Sequence, residues 1–332
     1  MRKKILAILR SSGSIPVSGE RLAEKLELSR TAIWKHIQVL KQEGYVINAI
    51  AKKGYVLEGA PDKLFPSEID AFLKTKWLGK QLTYKETVTS TNEVAKSLAL
   101  AGAANGLVCV AEEQTGGHGR LSRGWFSPRG KGLWFSLVLT PPFLPEEAPK
   151  CTLLAAVAVV KAINKYKGVE ASIKWPNDIL LEGKKLVGIL TEMNAEFGHI
   201  NYVVIGIGIN VCVPKAMVPK ELRASAISLA DAATEKINRA ELLADVLKNF
   251  EELYDLVLKE GFAPILVLWR QYSSTLGKEV QVVAPDKTYV GKAVDIDRDG
   301  LLLVDKGNGV LEKVVAGDVS IRAVNPKRSK YQ

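Results

Sequence analysis

Paired cysteines are missing. Cys109, Cys151 and Cys212 are odd in number, lie far apart in apolar runs and form no CxxC. That excludes a disulfide framework and predicts buried thiols in a reducing compartment. Long hydrophobic runs are missing too. The longest, "CTLLAAVAVV", ends at Lys161 and is too short to span a bilayer. Near the start, the apolar run Ile5 to Leu9 is closed by Arg10 and is shorter than a signal-peptide core. A cytoplasmic protein without a membrane partner is expected. Internal repeats and low-complexity tracts are also lacking. What is present is 332 residues, room for two or three domains, with 47% hydrophobic residues, enough for sizeable cores. The net charge of +10 permits polyanionic partners such as nucleic acid or nucleotides.

Much of that positive charge sits early. Residues 1–60 hold eleven Lys or Arg against five Asp or Glu. "RKKILAILR" puts Ile5, Leu6, Ile8 and Leu9 on one side of a helix. Ser18 can cap a second helix, "GERLAEKLEL", and Ser29 a third, in which Ile33, Ile37 and Leu40 recur at helical spacing and Gly44 suits the end. Two short helices joined by a tight turn, then two strands around Lys52-Lys53-Gly54, describe a winged helix-turn-helix. Ser29, Arg30, Thr31, Trp34, Lys35 and Gln38 on the recognition helix, with Lys52 and Lys53 on the wing, are the expected DNA contacts. The competing reading is a three-helix bundle that binds protein. His36 fits a packed or surface position better than a ligand. The two prolines of "LEGAPDKLFPSE" break both periodicities and mark a boundary. The domains expected are 1–64, 65–275 and 276–332.

The middle segment alternates strands and helices. "LVCVAEE", "LWFSLVLT", "DILLEGKKLVGILTE" and "NYVVIGIGINV" read as strands; "NEVAKSLALAG", "KCTLLAAVAVVKAINKY" and "RAELLADVLKNFEELYDLVLKEG" read as helices. A hairpin at Glu182-Gly183 argues for a mixed or antiparallel sheet rather than a parallel one. In "VVIGIGIN", Val203, Ile205, Ile207 and Ile209 share one face, and Gly206, Gly208 and Asn210 the other. A face stripped of side chains suits either a packed helix or the floor of a ligand pocket. "EQTGGHGRLSRGWFSPRGKG" holds six glycines and four Arg or Lys in twenty residues, too flexible and too charged to be core. Lys184 and Lys185 at the hairpin would alone pass for a solvated surface.

"TSTNEVAK", "EQTGGHGRLSRGWFSP", "KWPNDILLEGKKLVGIL" and "VVIGIGINV", in this order behind a winged helix-turn-helix, resemble the bifunctional biotin–protein ligases that also serve as biotin operon repressors. The resemblance covers essentially the whole chain. It implies an α+β multidomain protein whose central mixed-sheet domain is like class II aminoacyl-tRNA synthetases. It also implies activation of biotin by ATP and Mg²⁺ to biotinyl-5′-AMP, then transfer to a lysine of a biotin carboxyl carrier protein. The adenylate would be corepressor as well as intermediate, favouring a homodimer on operator DNA. By resemblance, Ser90, Thr91, Asn92 and Gln114 read the biotin ring system. Gly117, His118, Gly119 and Arg120 form the closing loop, and Gly188, Gly206 and Gly208 leave room for ligand. Lys185 and Arg120 are the expected catalytic cations. Arg123, Trp125, Trp134, Asn177, Asp178 and Asn210 would serve the adenylate, with Asp178 and Asn210 also as Mg²⁺ contacts. The chemistry fits: two anions must meet in line, so cations and positioning matter more than a protein nucleophile, and the anhydride needs shelter from water.

One residue departs from the pattern. Where the family has "GRGR" this chain has "GHGR", and an imidazole cannot make the two-pronged contact of a guanidinium. A weaker or more pH-dependent hold on the adenylate is expected. Beyond Leu276, short strands "KEVQVVA", "TYVGKAVDID", "GLLLVDK" and "VLEKVVAGDVSIRAV" predict a small β-barrel, and "NPKRSKYQ" a frayed tail. Two other readings compete: a ligand-sensing transcription factor with a dead catalytic domain, and a ligase for lipoate or another acid. The near-intact catalytic set argues against the first, and "STN" with "KWPND" against the second.

Overall fold

A computed structural model describes residues 1–284, 287–307, 309–316 and 320–323. They fall into two compact units, Met1–Phe72 and Leu73–Gln332. In the first, helices α1 (Arg2–Ser12), α2 (Gly19–Leu26) and α3 (Arg30–Gln42) converge because their apolar residues recur every three or four positions. Ile5, Leu9, Leu22, Ile33 and Ile37 are fully buried in one cluster. The hydroxyls of Ser18 and Ser29 each accept a backbone N–H at 3.1 Å, from Arg21 and Ala32. Caps of this kind stabilise a helix by about 1 kcal/mol each. Strands β1 (Val46–Ile50) and β2 (Gly54–Gly59) pair antiparallel into the wing.

Helix α4 (Pro66–Phe72), which apolar periodicity did not reveal, completes this unit. Its Glu68 is buried and accepts from the Tyr45 hydroxyl and the Arg10 guanidinium, both at 2.5 Å. Burial and the Glu68 carboxylate push the Tyr45 phenol well above its ordinary pKa. The unit thus runs eight residues past the boundary drawn at residue 64, because an acid that looks like surface charge is the anchor.

The second unit is built on a seven-stranded sheet with helices around it. In chain order it contains β3 (Leu82–Val88), α5 (Thr91–Leu100), β4 (Val108–Gln114), β5 (Gly132–Leu139), α6 (Lys150–Ile163), β6 (Ala171–Lys174), β7 (Asp178–Leu181), β8 (Lys184–Glu196), β9 (His199–Asn210), α7 (Arg239–Glu260) and α8 (Ala263–Tyr272). The strand order is β3-β4-β5-β9-β8-β7-β6, with β3 and β4 parallel and the other neighbours antiparallel. This is the mixed sheet expected. Helix α6, apolar all round, has twelve buried residues and serves as core rather than as a membrane span. Among the described residues no helix is long and apolar enough to cross a membrane.

Residue parity divides the sheet. Ile205, Ile207 and Ile209 of β9 are at most 3% exposed on the face that α6 and α7 cover. On the other face α5 packs over Cys109, Val138, Tyr202 and Val204, and stops short of Gly206 and Gly208. Cys109 and Cys151 are buried, which pushes both thiols up to about 12; Cys212, expected buried, is half-exposed.

The C-terminal strands β10 (Glu279–Val283), β11 (Thr288–Ile296), β12 (Leu302–Asp305), β13 (Leu311–Val314) and β14 (Ser320–Ala323) form one antiparallel sheet in the order β13-β12-β11-β10-β14. Where a small barrel was expected, the described strands make this antiparallel sheet, with no pairing between β13 and β14 among the described residues. It belongs to the second unit: Arg270 of α8 holds Asp295 at 2.6 Å, and the Trp175 indole N–H donates to the Gly300 carbonyl at 3.1 Å. The predicted frayed tail, residues 325–332, lies outside the described residues.

Candidate functional site

Gly206 and Gly208 make the floor. A β-carbon on Gly206 would lie 2.1 Å from the Asn92 side-chain oxygen, and one on Gly208 would lie 2.2 Å from the Trp125 indole nitrogen. Neither position admits any other residue without rearrangement. Gly188 on β8 faces Gly208 in register and sits under the same indole ring, 3.2 Å from where its own β-carbon would be. The cleft above holds about 120 Å³.

One wall is a buried polar chain at the start of α5. Ser90, Thr91 and Asn92 are at most 5% exposed. The Gln114 side-chain oxygen accepts from the Thr91 N–H at 2.8 Å, and the Gln114 amide donates to Ser127 at 3.0 Å. The Ser136 hydroxyl on β5 donates to the Asn92 side-chain oxygen at 2.6 Å and lies 2.8 Å from the Thr91 hydroxyl. Asn92 donates in turn to the Glu192 carboxylate at 2.7 Å, which Lys96 neutralises from 3.1 Å. Side chains paired this completely are fixed before a ligand arrives. Ser136 and Glu192 escaped sequence reading. Ser136 is the one polar residue of β5, Glu192 is one of several polar residues in β8, and only the alternation of faces at Gly206 could have flagged them.

The opposite wall carries charge. The Lys185 ammonium is 2.7 Å from the Asp178 carboxylate and 5.2 Å from the centre of the Trp125 ring. Arg120 donates to the Asn177 side chain at 3.3 Å and to the Ala316 carbonyl of the C-terminal sheet segment. The glycine-rich loop is a small hairpin of its own: Trp125 N–H donates to Gly117 and Gly119 N–H to Arg123, both at 2.8 Å. At its tip Leu121 and Ser122 both take left-handed backbone, φ 55° and 53°. Where the loop rejoins β5, buried Arg239 bonds the Glu112 carboxylate at 3.0 Å and the Gly132 carbonyl at 3.1 Å.

Of the residues expected in the site, Ser90, Thr91, Asn92, Gln114, His118, Gly119, Arg120, Arg123, Trp125, Asn177, Asp178, Lys185, Gly188, Gly206 and Gly208 all line this cleft. Gly117 lies just behind it, against Gln114 and Ser127. Two expectations need correction. Trp134, expected to offer a stacking face, is fully buried, with its ring edge-on to Trp125 and its N–H on the Pro128 carbonyl. Its side chain points to the ligand face, but Trp125 covers it. Asn210 faces a neighbouring depression of about 200 Å³, lined also by Arg123, Trp125, Lys185, Val218 and Leu222, and donates to the Ile227 carbonyl at 3.2 Å. It does not share the cleft with Asp178.

In the first unit, Arg30, Thr31 and Trp34 of α3 face Lys52 and Lys53 of the wing across a groove of about 580 Å³. Trp34 is 52% exposed. Ser29 caps the helix, Lys35 is exposed and Gln38 half-buried; none of the three lines the groove.

Comparison with known proteins gives three family matches: the biotin/lipoate A/B protein ligase family over residues 84–210, an HTH domain over 2–56, and the biotin protein ligase C-terminal domain over 275–322. The bifunctional ligase/repressor BirA of Bacillus subtilis strain 168 is 43% identical over 321 residues, 97% of this chain and 98% of that protein. The protein of the same description from Escherichia coli K12 is 30% identical over 96% of this chain and 97% of its own length. Among solved structures, a biotin protein ligase from Aquifex aeolicus in complex with biotin and ATP superposes with a TM-score of 0.65 at 29% identity. It covers 74% of this chain and all of the other.

Proposed function

The chain belongs to the bifunctional ligase/repressor family of biotin protein ligases, and from that premise we propose that it activates biotin with ATP, transfers it to a carrier-protein lysine, and represses transcription through its winged unit. One observation carries the reading: a glycine floor between a preformed polar wall and a lysine–aspartate pair. A buried urea needs donors and acceptors on every edge, and the Thr91, Asn92, Gln114 and Ser136 network, with the buried Ser90 hydroxyl beside it, can supply them. The carboxylate end then points toward Lys185 and Arg120.

In the first step a biotin carboxylate oxygen attacks the α-phosphorus of ATP and pyrophosphate leaves. Lys185, at the hairpin end of β8 and held by Asp178, can balance the charge that builds on the phosphoryl oxygens. Arg120 and Arg123 bring further cations on the loop. In the second step an amine attacks the acyl carbon and AMP leaves. Between the steps the mixed anhydride must be kept from water, and the loop hairpin provides the cover. Trp125 lies on the floor glycines, so a ligand seated there must displace it; a hairpin carrying it can move as one piece. The neighbouring depression beside Trp125 and Asn210 suits the adenine. Mg²⁺ would arrive on the ATP phosphates, which supply most of its oxygen ligands; Asp178 is the cleft carboxylate able to add one, and the ion would offset charge on the departing pyrophosphate.

Repression would follow by linkage. If the adenylate favours a dimer that binds operator DNA, DNA must favour retention of the adenylate by the same factor. The basic groove of the first unit supports the DNA contact. The test is transfer of labelled biotin to a biotin carrier domain with Mg-ATP, together with biotin-dependent ATP–pyrophosphate exchange. Exchange with lipoate alone would replace biotin in this reading; exchange with no acid would leave only a transcription factor.

A further inference from the structure

At the rim of the cleft, the glycine-rich loop brings His118 close to two carboxylates beside the biotin wall. His118, Glu93 of α5 and Glu192 of β8 each bring one donor atom within 4.8 Å of the others. We propose that these three residues form a binding site for a first-row transition-metal cation, with Zn²⁺ as the representative ion, that ties the loop to the biotin wall.

The donor set selects the ion. One imidazole nitrogen and two carboxylates suit Zn²⁺ and its neighbours, whereas Mg²⁺ prefers oxygen alone and gives up water reluctantly. Three donors around Zn²⁺ at bonds of about 2.0–2.2 Å sit roughly 3.5 Å apart, so the group closes by about an ångström. Glu93 is exposed and His118 half-exposed, and both can rotate to do so. The Gly116 carbonyl lies 3.2 Å from His118 Nδ1, a backbone partner of the kind that orients ligating imidazoles. The three residues come from three elements, so an ion here closes a bracket across the loop, the helix and the strand.

Positive charge is already wanted at this point. The Lys96 ammonium sits 2.6 Å from Glu93 and 3.1 Å from Glu192, and its pKa is raised by both. It acts as the competitor of the metal: it neutralises the two carboxylates but cannot engage the imidazole, and its half-exposed side chain has a path to solvent. Glu192 is also the acceptor for Asn92, so an ion drawing on Glu192 changes the group that the biotin wall leans on. The departure from arginine at position 118 is what makes the site: a guanidinium there would repel the ion.

The experiment is equilibrium dialysis of the full chain against Zn²⁺, in the absence of nucleotide and with excess Mg²⁺ present, paired with trypsin cleavage at Arg120 and Arg123. The expected result is one Zn²⁺ per chain, with cleavage slowed when it binds. His118→Arg and Glu93→Gln should each weaken binding by at least about tenfold and abolish the protection. Lys96→Gln should tighten binding. Glu93 is exposed, so its variant tests the site without disturbing the core. Equal affinity in wild type, His118→Arg and Glu93→Gln would overturn the proposal, since it would assign any bound ion to other groups. So would the absence of Zn²⁺ binding, or weaker binding in Lys96→Gln.

Discussion

The cleft of the larger unit and the groove of the smaller one are built by opposite means. In the cleft, Ser90, Thr91 and Asn92 are at most 5% exposed, and Thr91 and Asn92 are tied to Gln114, Ser136 and Glu192. In the groove, Trp34 is half-exposed and Arg30, Lys52 and Lys53 project into solvent. A small polar molecule taken out of water must find its partners already placed, because each unmatched buried group costs about 1–3 kcal/mol. A polyanion stays wet, and long cations that reach its phosphates need no fixed geometry. The two surfaces should therefore fail differently when altered.

The largest effect belongs to the cleft. Lys185→Ala should lower biotin-dependent ATP–pyrophosphate exchange by about 10²–10³-fold, the range for loss of one donor that stabilises transition-state charge. DNA affinity of the protein without adenylate should not change, which a filter-binding assay can check. Gly208→Val comes next. Its side chain would enter the space of Trp125, and a misfit of this kind costs about 1–3 kcal/mol, seen as roughly ten- to a hundredfold weaker biotin binding by calorimetry. Ile207→Val, one residue away on the opposite face, is the control. It should cost about 0.5–1.5 kcal/mol of unfolding stability and leave biotin affinity of the folded protein alone.

The two surfaces were also unequally legible. The groove could be read directly, because helix spacing and caps are local: Ser18, Ser29 and the Ile33, Ile37, Leu40 stripe dictate where Arg30 and Trp34 point. The cleft was legible in its floor, since alternation along β9 separates Gly206 and Gly208 from the isoleucines. It was opaque in its polar chain. Ser136 and Glu192 lie 44 and 100 residues from Asn92, and no local pattern joins them. Trp134 misled for a related reason: parity places it on the ligand face, but Trp125 from the loop lies over it. Nothing local marks Glu68 and Glu112 as buried, yet they anchor Arg10 and Arg239, partners brought from distant elements. Short α4, edge strand β3 and helix α8 carried too little periodicity to stand out.

A smaller effect is expected in the groove. Replacing Lys52 and Lys53 together by alanine removes two exposed cations. If each neutralises one phosphate, the slope of log affinity against log salt should become shallower by about two, with a similar loss for any DNA sequence. Arg30 and Thr31, on the recognition helix, should instead alter the preference among sequences. A loss confined to one operator in the lysine double variant would mean that the wing reads bases.

The smallest effect is at His118, where the contrast between the surfaces narrows. This residue sits on the loop, half-exposed, yet it lines the cleft. An imidazole offers one donor at a time to an anion, and a guanidinium offers a planar fork. His118→Arg should therefore slow release of the adenylate by a few-fold, measured by a chase with unlabelled ligand in the presence of a chelator. Because the change acts on the loop hairpin rather than on the hydrogen-bonded wall, biotin affinity without ATP should barely move. If biotin alone binds more tightly as well, the loop is part of the preformed wall, and the division between a rigid reader and a closing cover has to be redrawn at residue 118.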